Sequence, residues 1–402
     1  MTVPAAGVGV LGPRKPLYRC IPEIHVTRLS ASSSLRPKLG LLLLFVVLLI
    51  TICLAGVPLV TKVLMPLVHS KTINHQLALT TLSFDQALLD VSLEITSPAS
   101  SMISPSLVQA SLQVLAKLSL GETRQELLNA INSSQIHDSQ AKVPGMEFDR
   151  VFLVPGQQVN AEMVSKDHGV ELLDFRVREA QHQVENWWGE HGVQNEDKFL
   201  EENLDNSQIV GLTFARVTLR MGTPTVGSFH GIEGEVGGVQ MLRVQGDFLM
   251  LATTERTTIV MEEVGEGLDL CLVISNAPSV ASQLPTIQHC SSKELKKSNL
   301  AIILPRLAIT SRVALKESLS KSSLRSVFSE TADLSLLSKQ QGLRLGELFH
   351  VVSFNLKEGK TIKEGKKKVA EVIFNRPFSF LVRQRPSNST LVIGHVKRPN
   401  MK

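Results

Sequence analysis

Aromatic residues make up only 4% of the 402-residue chain, with two tryptophans and one tyrosine. Leu, Val and Ile must therefore fill any core, and a chain that is 43% hydrophobic has enough of them. Four cysteines are too few for a disulfide-built scaffold. The sequence lacks a G-x-S-x-G elbow, an H-E-x-x-H pair and a C-x-x-C pair, so the common hydrolase, zinc-protease and redox motifs are missing. Its eleven histidines are scattered and suggest no metal set. We expect neither an enzyme nor a bound cofactor or metal. The motif GVGVLG at Gly7–Gly12 matches G-x-G-x-x-G in letters alone. No strand pattern precedes it and no helix pattern follows, so it is discounted as a dinucleotide site. The chain has no internal repeat and no linker that splits residues 70–402.

Net positive charge is also missing from most of the chain. The net charge of +5 is carried by residues 1–38, where Arg14, Lys15, Arg19, Arg28, Arg36 and Lys38 outnumber Glu23. The remainder sums to zero, which argues against a nucleic-acid-binding surface. From Leu39 to Thr61 no residue is charged, and the run has the ~20 apolar residues needed to cross a bilayer. Basic residues on its N-terminal side keep that end cytosolic. The expectation is a basic tail over 1–38 without regular structure and a signal anchor over 39–61. A juxtamembrane segment (62–71) and an exported domain (72–402) follow. The alternative is a secretory signal cleaved near Ala55 or Gly56. The sequons at Asn132 and Asn388 suit an exported, glycosylated domain. Cys271 lies in an apolar run and Cys290 in a polar one; a bridge is possible, but free thiols are the expectation.

Beyond the apolar run, helical patterns come first. Leu77, Phe84, Leu88 and Val91 fall near helical spacing. Pro105 opens a second helix with Leu107, Val114 and Leu118 on one stripe. Thr123 and Glu126 have the spacing of a capping box. Val177, Ala180, Val184 and Trp187 mark a further amphipathic helix, and Trp187-Trp188 reads as helix packing. The second half is rich in strand patterns: VQGDFLMLAT, TTIVMEEV, LDLCLVISN, LAIILP, HVVSFNL, FSFLV and TLVIGHV. Helices followed by strands give an α+β domain.

The order of motifs is similar to that of the serpin family over most of residues 72–399. Ile103-Ser104-Pro105 with the helix after it resembles the family's S-P-x-S helix. Residues 174–200 resemble the helix that crosses the large sheet, and Gln208–Met221 the adjacent central strand. Leu304-Pro305, Val327-Phe328-Ser329 and Ala332-Asp333-Leu334-Ser335 resemble the L-P-K, L-F-S and A-D-L-S run. Phe374-Asn375-Arg376-Pro377-Phe378 and Gly394-His395-Val396 through Pro399 complete the set. The resemblance implies a serpin-like α+β fold, with helices packed around a large central β-sheet and smaller sheets beside it. It also implies a reactive loop that a protease cleaves and that then enters the large sheet, trapping the acylated protease.

This chain departs from that pattern. The places of the polar cluster beneath the sheet opening (Ser, Asn and His in inhibitory members) match Leu107, Phe214 and His350, so that network is expected to be absent. Met221-Gly222 falls where the family has a Trp, and Ser379 where an apolar residue is usual. The hinge, Gly359, Lys360, Thr361 and Ile362, lacks the family's run of small residues. One parity of the loop carries Lys360, Ile362, Glu364, Lys366 and Lys368. The other carries Thr361, Lys363, Gly365, Lys367 and Val369, so either face would bury lysine. An unpaired buried ammonium costs several kcal/mol, against a domain's whole stability of ~5–15 kcal/mol.

The leading expectation is a membrane-tethered, non-inhibitory protein that acts by binding. One alternative is an inhibitor of a trypsin-like serine protease that reads Lys366, Lys367, Lys368 or Val369 at the cleavage site. The other is binding of a glycosaminoglycan or anionic surface by Lys357, Lys360, Lys363 and Lys366–Lys368, six charges within twelve residues.

Overall fold

The computed structural model describes residues 100–131, 145–156, 159–164, 170–173, 177–193, 207–231, 234–275, 290–321, 324–359, 369–385, 387 and 389–399. The basic tail, the apolar run at 39–61, the helix expected over 77–91 and both sequons lie outside them. Among the described residues no helix is long and apolar enough to cross a membrane.

A short strand, β1 (Ser100–Ile103), leads through Ser104 into helix α1 (Pro105–Leu118). Proline at its first turn lacks the N–H that would have had no helical partner there. Leu107, Val108, Leu112, Leu115 and Leu118 are buried along it. Helix α2 (Gly121–Ala130) follows, and here the capping-box reading is wrong. Thr123 and Glu126 are inside the helix, which starts a turn earlier. Their side chains reach across the fold instead. Thr123 Oγ1 accepts from Asp333 N–H, and Glu126 Oε2 accepts from the N–H groups of Arg325 and Ser326 and from the Ser326 hydroxyl. Two polar residues at capping spacing serve a tertiary contact because the segment at 325–333 supplies orphan donors.

Two sheets carry the rest. The five-stranded sheet contains β2 (Met146–Pro155), β3 (Val170–Leu173), β4 (Gln208–Arg220), β10 (Leu307–Ala314) and β11 (Arg344–Lys357), in the order β10-β11-β4-β2-β3. The nine-stranded sheet contains β1 with β5 (Thr223–Gly231), β6 (Gly234–Ala252), β7 (Arg256–Gly265), β8 (Leu268–Ser275), β9 (Lys296–Pro305), β12 (Ala370–Ile373), β13 (Phe378–Gln384) and β14 (Ser389–Val396). Its order is β1-β14-β13-β8-β7-β6-β9-β12, with β5 paired to β6. β8 is buried along its whole length, as a largely apolar strand between two neighbours requires; its Asp269 is paired with Arg383 and Arg385. Helix α3 (Val177–Glu190) and the short α4 (Lys316–Lys321) complete the described elements named here.

Two apolar clusters fill the space between the sheets. One joins α1 and α2 to Leu345, Leu348, Val273, Leu381 and Ile393. The other brings Val217, Val352 and Phe354 against Phe374, Phe378 and Phe380. A third cluster lies on the opposite face of the five-stranded sheet. There Val184 and Trp188 of α3 cover Val151, Leu153, Leu212, Phe214, Phe349 and Val351. Trp188 is the fully buried indole and meets Trp187 edge to face at 4.7 Å, so the tandem tryptophans pack as expected. The layers run from α3 through the five-stranded sheet to the nine-stranded one.

The expectation of free thiols is overturned. Cys271 of β8 and Cys290, just ahead of β9, are bonded to each other. Both are buried in the first apolar cluster despite the polar sequence around Cys290. Local polarity misled because the residue turns inward at the start of its segment.

Candidate functional site

The site implied by the sequence is the seam between β4 and β11 and the loop stems at its end. The two strands run parallel and pair directly from Arg344↔Gln208 to Lys357↔Arg220, with one irregularity between Leu345 and Glu347. No strand lies between them. Alternate residues face opposite sides, and both sides are covered. Leu212, Phe214, Phe349 and Val351 face α3, while Ala215, Val217, Val352 and Phe354 face the second sheet.

At the centre of the seam, His350 lies opposite Thr213. Its ring is 1% exposed, and burial lowers its pKa from 6.5 to about 3, so it is neutral. The backbone N–H of Ser104 donates to Nε2 at 2.9 Å. Nε2 is therefore the unprotonated nitrogen, and Nδ1–H donates to Thr213 Oγ1 at 2.7 Å. The Thr213 hydroxyl passes its own hydrogen to the Phe349 carbonyl at 3.0 Å. This relay ties β4, β11 and the N-terminus of α1 together.

The expected loss of a polar network is thus corrected. Leu107 and Phe214 do not carry it. Leu107 is buried in the apolar cluster between the sheets, and Phe214 points to the other face, its ring 4.7 Å from His191. Thr213, one residue earlier, faces His350. A shift of one residue reverses the face in a strand, and the hydroxyl takes the role that the sequence comparison assigned to its neighbour's place.

The upper end of the seam is closed by backbone contacts. Met221 N–H donates to the Lys357 carbonyl at 2.9 Å, and Gly359 N–H to the Gly222 carbonyl at 3.2 Å. Gly222 has φ +68, and a Cβ there would stand 2.6 Å from the Arg243 carbonyl oxygen. At Gly359 a Cβ would meet the Arg220 carbonyl carbon at 2.6 Å. Glycine is needed at both because backbone occupies the space a side chain would take. The Arg306 guanidinium reaches Glu358 at 3.7 Å.

Of the loop residues singled out, Gly359 and Lys357 are at this stem, and Val369 is at the other, just ahead of β12. Lys360, Thr361, Ile362, Lys363, Lys366, Lys367 and Lys368 lie outside the described residues. β12 is an edge strand, parallel to β9 from Ala370↔Leu300 to Ile373↔Ile303. Ile373 is 44% exposed on it. Arg243 steadies the strand through Glu371 at 3.1 Å.

The departure at Ser379 also has a partner. Its hydroxyl bonds His395 Nδ1 at 3.0 Å on the neighbouring strand β14, where the two residues are opposite each other. Burial, assisted by Lys397, lowers the His395 pKa to about 4. This pair was legible only as two unusual letters sixteen residues apart.

A family model described as Serpin (serine protease inhibitor) matches residues 222–399. Among curated proteins, chicken neuroserpin is 27% identical over 150 residues, 34% of this chain and 37% of its own length. Mouse serpin B12 is 27% identical over 264 residues, 57% of this chain and 62% of its own length. These matches span less than two thirds of either relative. Two solved structures share the fold at low identity. A tumour-suppressing serpin has a TM-score of 0.67 at 16% identity, covering 80% of this chain and 99% of that one. Uncleaved ovalbumin has a TM-score of 0.69 at 14% identity, covering 80% and 99%. The strand order and the family match over β5 to β14 agree: residues 222–399 match the serpin family model, and the described residues share the fold of solved serpins.

Proposed function

We propose that this chain is a non-inhibitory serpin, is tethered to a membrane by residues 39–61, and acts by binding through its exposed surface and loop. The observation that carries the reading is the shortness of the loop relative to the seam. Between Gly359 and Ala370 there are ten residues, 360–369, whereas the strand that would have to be matched, β4, has thirteen. An inserted strand needs about 3.3 Å per residue along the seam, so even all of residues 360–369 fall short of its far end, and cleavage within the loop leaves fewer still. Both faces of the seam are packed with apolar side chains. Lysines of either parity would have to enter that packing, at several kcal/mol for each unpaired ammonium. A loop that stays outside remains available to a partner.

The tether rests on the uncharged run at 39–61 and its basic flank. Its test is alkaline carbonate extraction of the expressed full chain, which should leave the protein in the membrane pellet; release into the supernatant would favour the cleaved form. The loop reading is tested with a panel of trypsin-like proteases. We expect cleavage within 360–369, no complex that survives denaturing electrophoresis, and no large rise in melting temperature after cleavage. A boiling-resistant complex would establish the protease-inhibitor reading instead. The polyanion reading shares the loop's charge, and a similar structure, native protease nexin-1, was solved with heparin.

A further inference from the structure

The C-terminus of α3 is fastened to the five-stranded sheet through a histidine with an unusual set of neighbours. His191 follows the last helical turn and is 7% exposed. Its Nδ1 is 2.7 Å from the Trp187 carbonyl and its Nε2 is 3.0 Å from Asp149 Oδ2 on β2. Both partners are acceptors only, so both ring nitrogens can donate at once only when the ring carries its second proton. The neutral ring must give up one of the two bonds.

The surroundings favour that proton from several directions. From β2, Asp149 and Glu147 are negative, and Arg150 is the opposing charge on that strand. From β4, Arg216 is a second opposing charge: it donates to Glu147 Oε2 at 2.6 Å and to the His191 carbonyl, and its guanidinium lies over the Phe214 ring. From α3 itself, Glu190 is exposed next door. β11 brings only the apolar Phe349 and Val351 to this cluster. The helix ends in a turn in which Val193 N–H donates to the Trp188 carbonyl and Gly192 adopts φ +65. A helix C-terminus is the negative end of the macrodipole and favours a cation beside it. The ring also packs between Trp187 at 4.3 Å and Phe214 at 4.7 Å, tilted against both. Desolvation opposes the charge, but the Asp149 and Trp187 acceptors outweigh it, and the pKa is raised above 6.5.

We propose that His191 is a proton-operated clamp that holds the end of α3 down on β2 and β4, beside the closed seam. α3 covers one face of that seam, so its detachment has to precede any separation of β4 from β11. The clamp does not depend on whether the loop inserts; it sets how easily the covering helix lifts. Because the folded pKa lies above the unfolded one, the clamp is complete below pH 6.5 and is lost as pH rises through the folded value.

The test is hydrogen–deuterium exchange of the full chain between pH 6 and 9, corrected for the intrinsic exchange rate. Amides of residues 186–193 should lose protection roughly tenfold on going up in pH, the size of a partly buried charge at a helix terminus. His191→Gln should show the low protection at every pH. Asp149→Asn should move the transition to lower pH, because the ring loses its counter-charge. The α2 amides serve as the internal control and should not change. Flat protection in the unsubstituted protein would overturn the proposal without any variant having to fold. So would a transition that persists in His191→Gln, or an NMR titration placing His191 at or below 6.5.

Discussion

Thr213 and His350 sit opposite each other across two parallel strands, 2.7 Å apart, and the hydroxyl both accepts from the ring and donates to the carbonyl of Phe349. One small side chain therefore completes a polar centre between the apolar layers that cover the two faces of the seam.

Thr213→Val keeps the shape and removes the hydroxyl. It leaves the His350 Nδ1–H buried without its acceptor, so a loss of about 1–3 kcal/mol is expected. Thr213→Ser should recover most of it. Denaturant unfolding of both variants decides; equal stability of the valine form would mean that the relay contributes nothing.

Acid should destabilise the domain through two buried histidines. His350 and His395 have folded pKa values of about 3 and about 4, against 6.5 when unfolded. The unfolded chain binds more protons at these two sites in that interval, so their contribution is full above pH 6.5 and declines as pH falls toward 4. The expected loss is on the order of several kcal/mol for the pair. Asp149, Glu126 and Asp269 are also lowered, but they act below their own unfolded values and so deepen the loss only at the acid end. Urea midpoints at pH 7, 6, 5 and 4.5 measure this, and His395→Gln should flatten part of the slope.

Replacing both cysteines by alanine should cost about 3 kcal/mol by the chain-entropy estimate for a crosslink nineteen residues apart. Thermal melts of the variant, and of the unsubstituted protein with and without reductant, give the comparison. Recovery of a Cys271–Cys290 linked peptide from a non-reduced digest confirms the pairing itself.

Lys366, Lys367 and Lys368→Ala should weaken retention on heparin and flatten its dependence on salt, since each neutralised contact contributes to the ionic-strength slope through screening. Unchanged elution would remove the loop from any polyanion site and leave the β-sheet surfaces as the place to look.

Most strands were legible because alternation and apolar runs survive in the letters. TTIVMEEV, LDLCLVISN and HVVSFNL all fall within strands that the fold contains. β1, β2, β3, β5, β10 and β12 were missed; β5 is interrupted by Pro224 and glycines and β10 by polar residues on its exposed side. The errors at the site have one cause: pairing across long sequence separations. Phe214 was chosen over Thr213 by motif position, and in a strand one position changes the face. Glu126 was given to its own helix, whereas its partners lie about 200 residues away. His191 carried no motif at all; only the approach of β2 makes it more than a polar residue at a helix end.

The loop joins two sheets rather than two strands of one. β11 ends in the five-stranded sheet, whereas β12, β13 and β14 belong to the nine-stranded one, with β13 between β8 and β14. Hydrolysis at the loop would therefore yield not a protein with a loose tail but a two-chain heterodimer. Its smaller subunit, beginning within the old loop, would be held by strand pairing, by Phe374, Phe378 and Phe380 in the interior and by the ion pairs of Arg383 and Arg385 with Asp269. Such a species would migrate as one molecule in size-exclusion chromatography and as two on a denaturing gel. In cells, one proteolytic event would leave the fold assembled while giving it a new pair of chain ends at its surface.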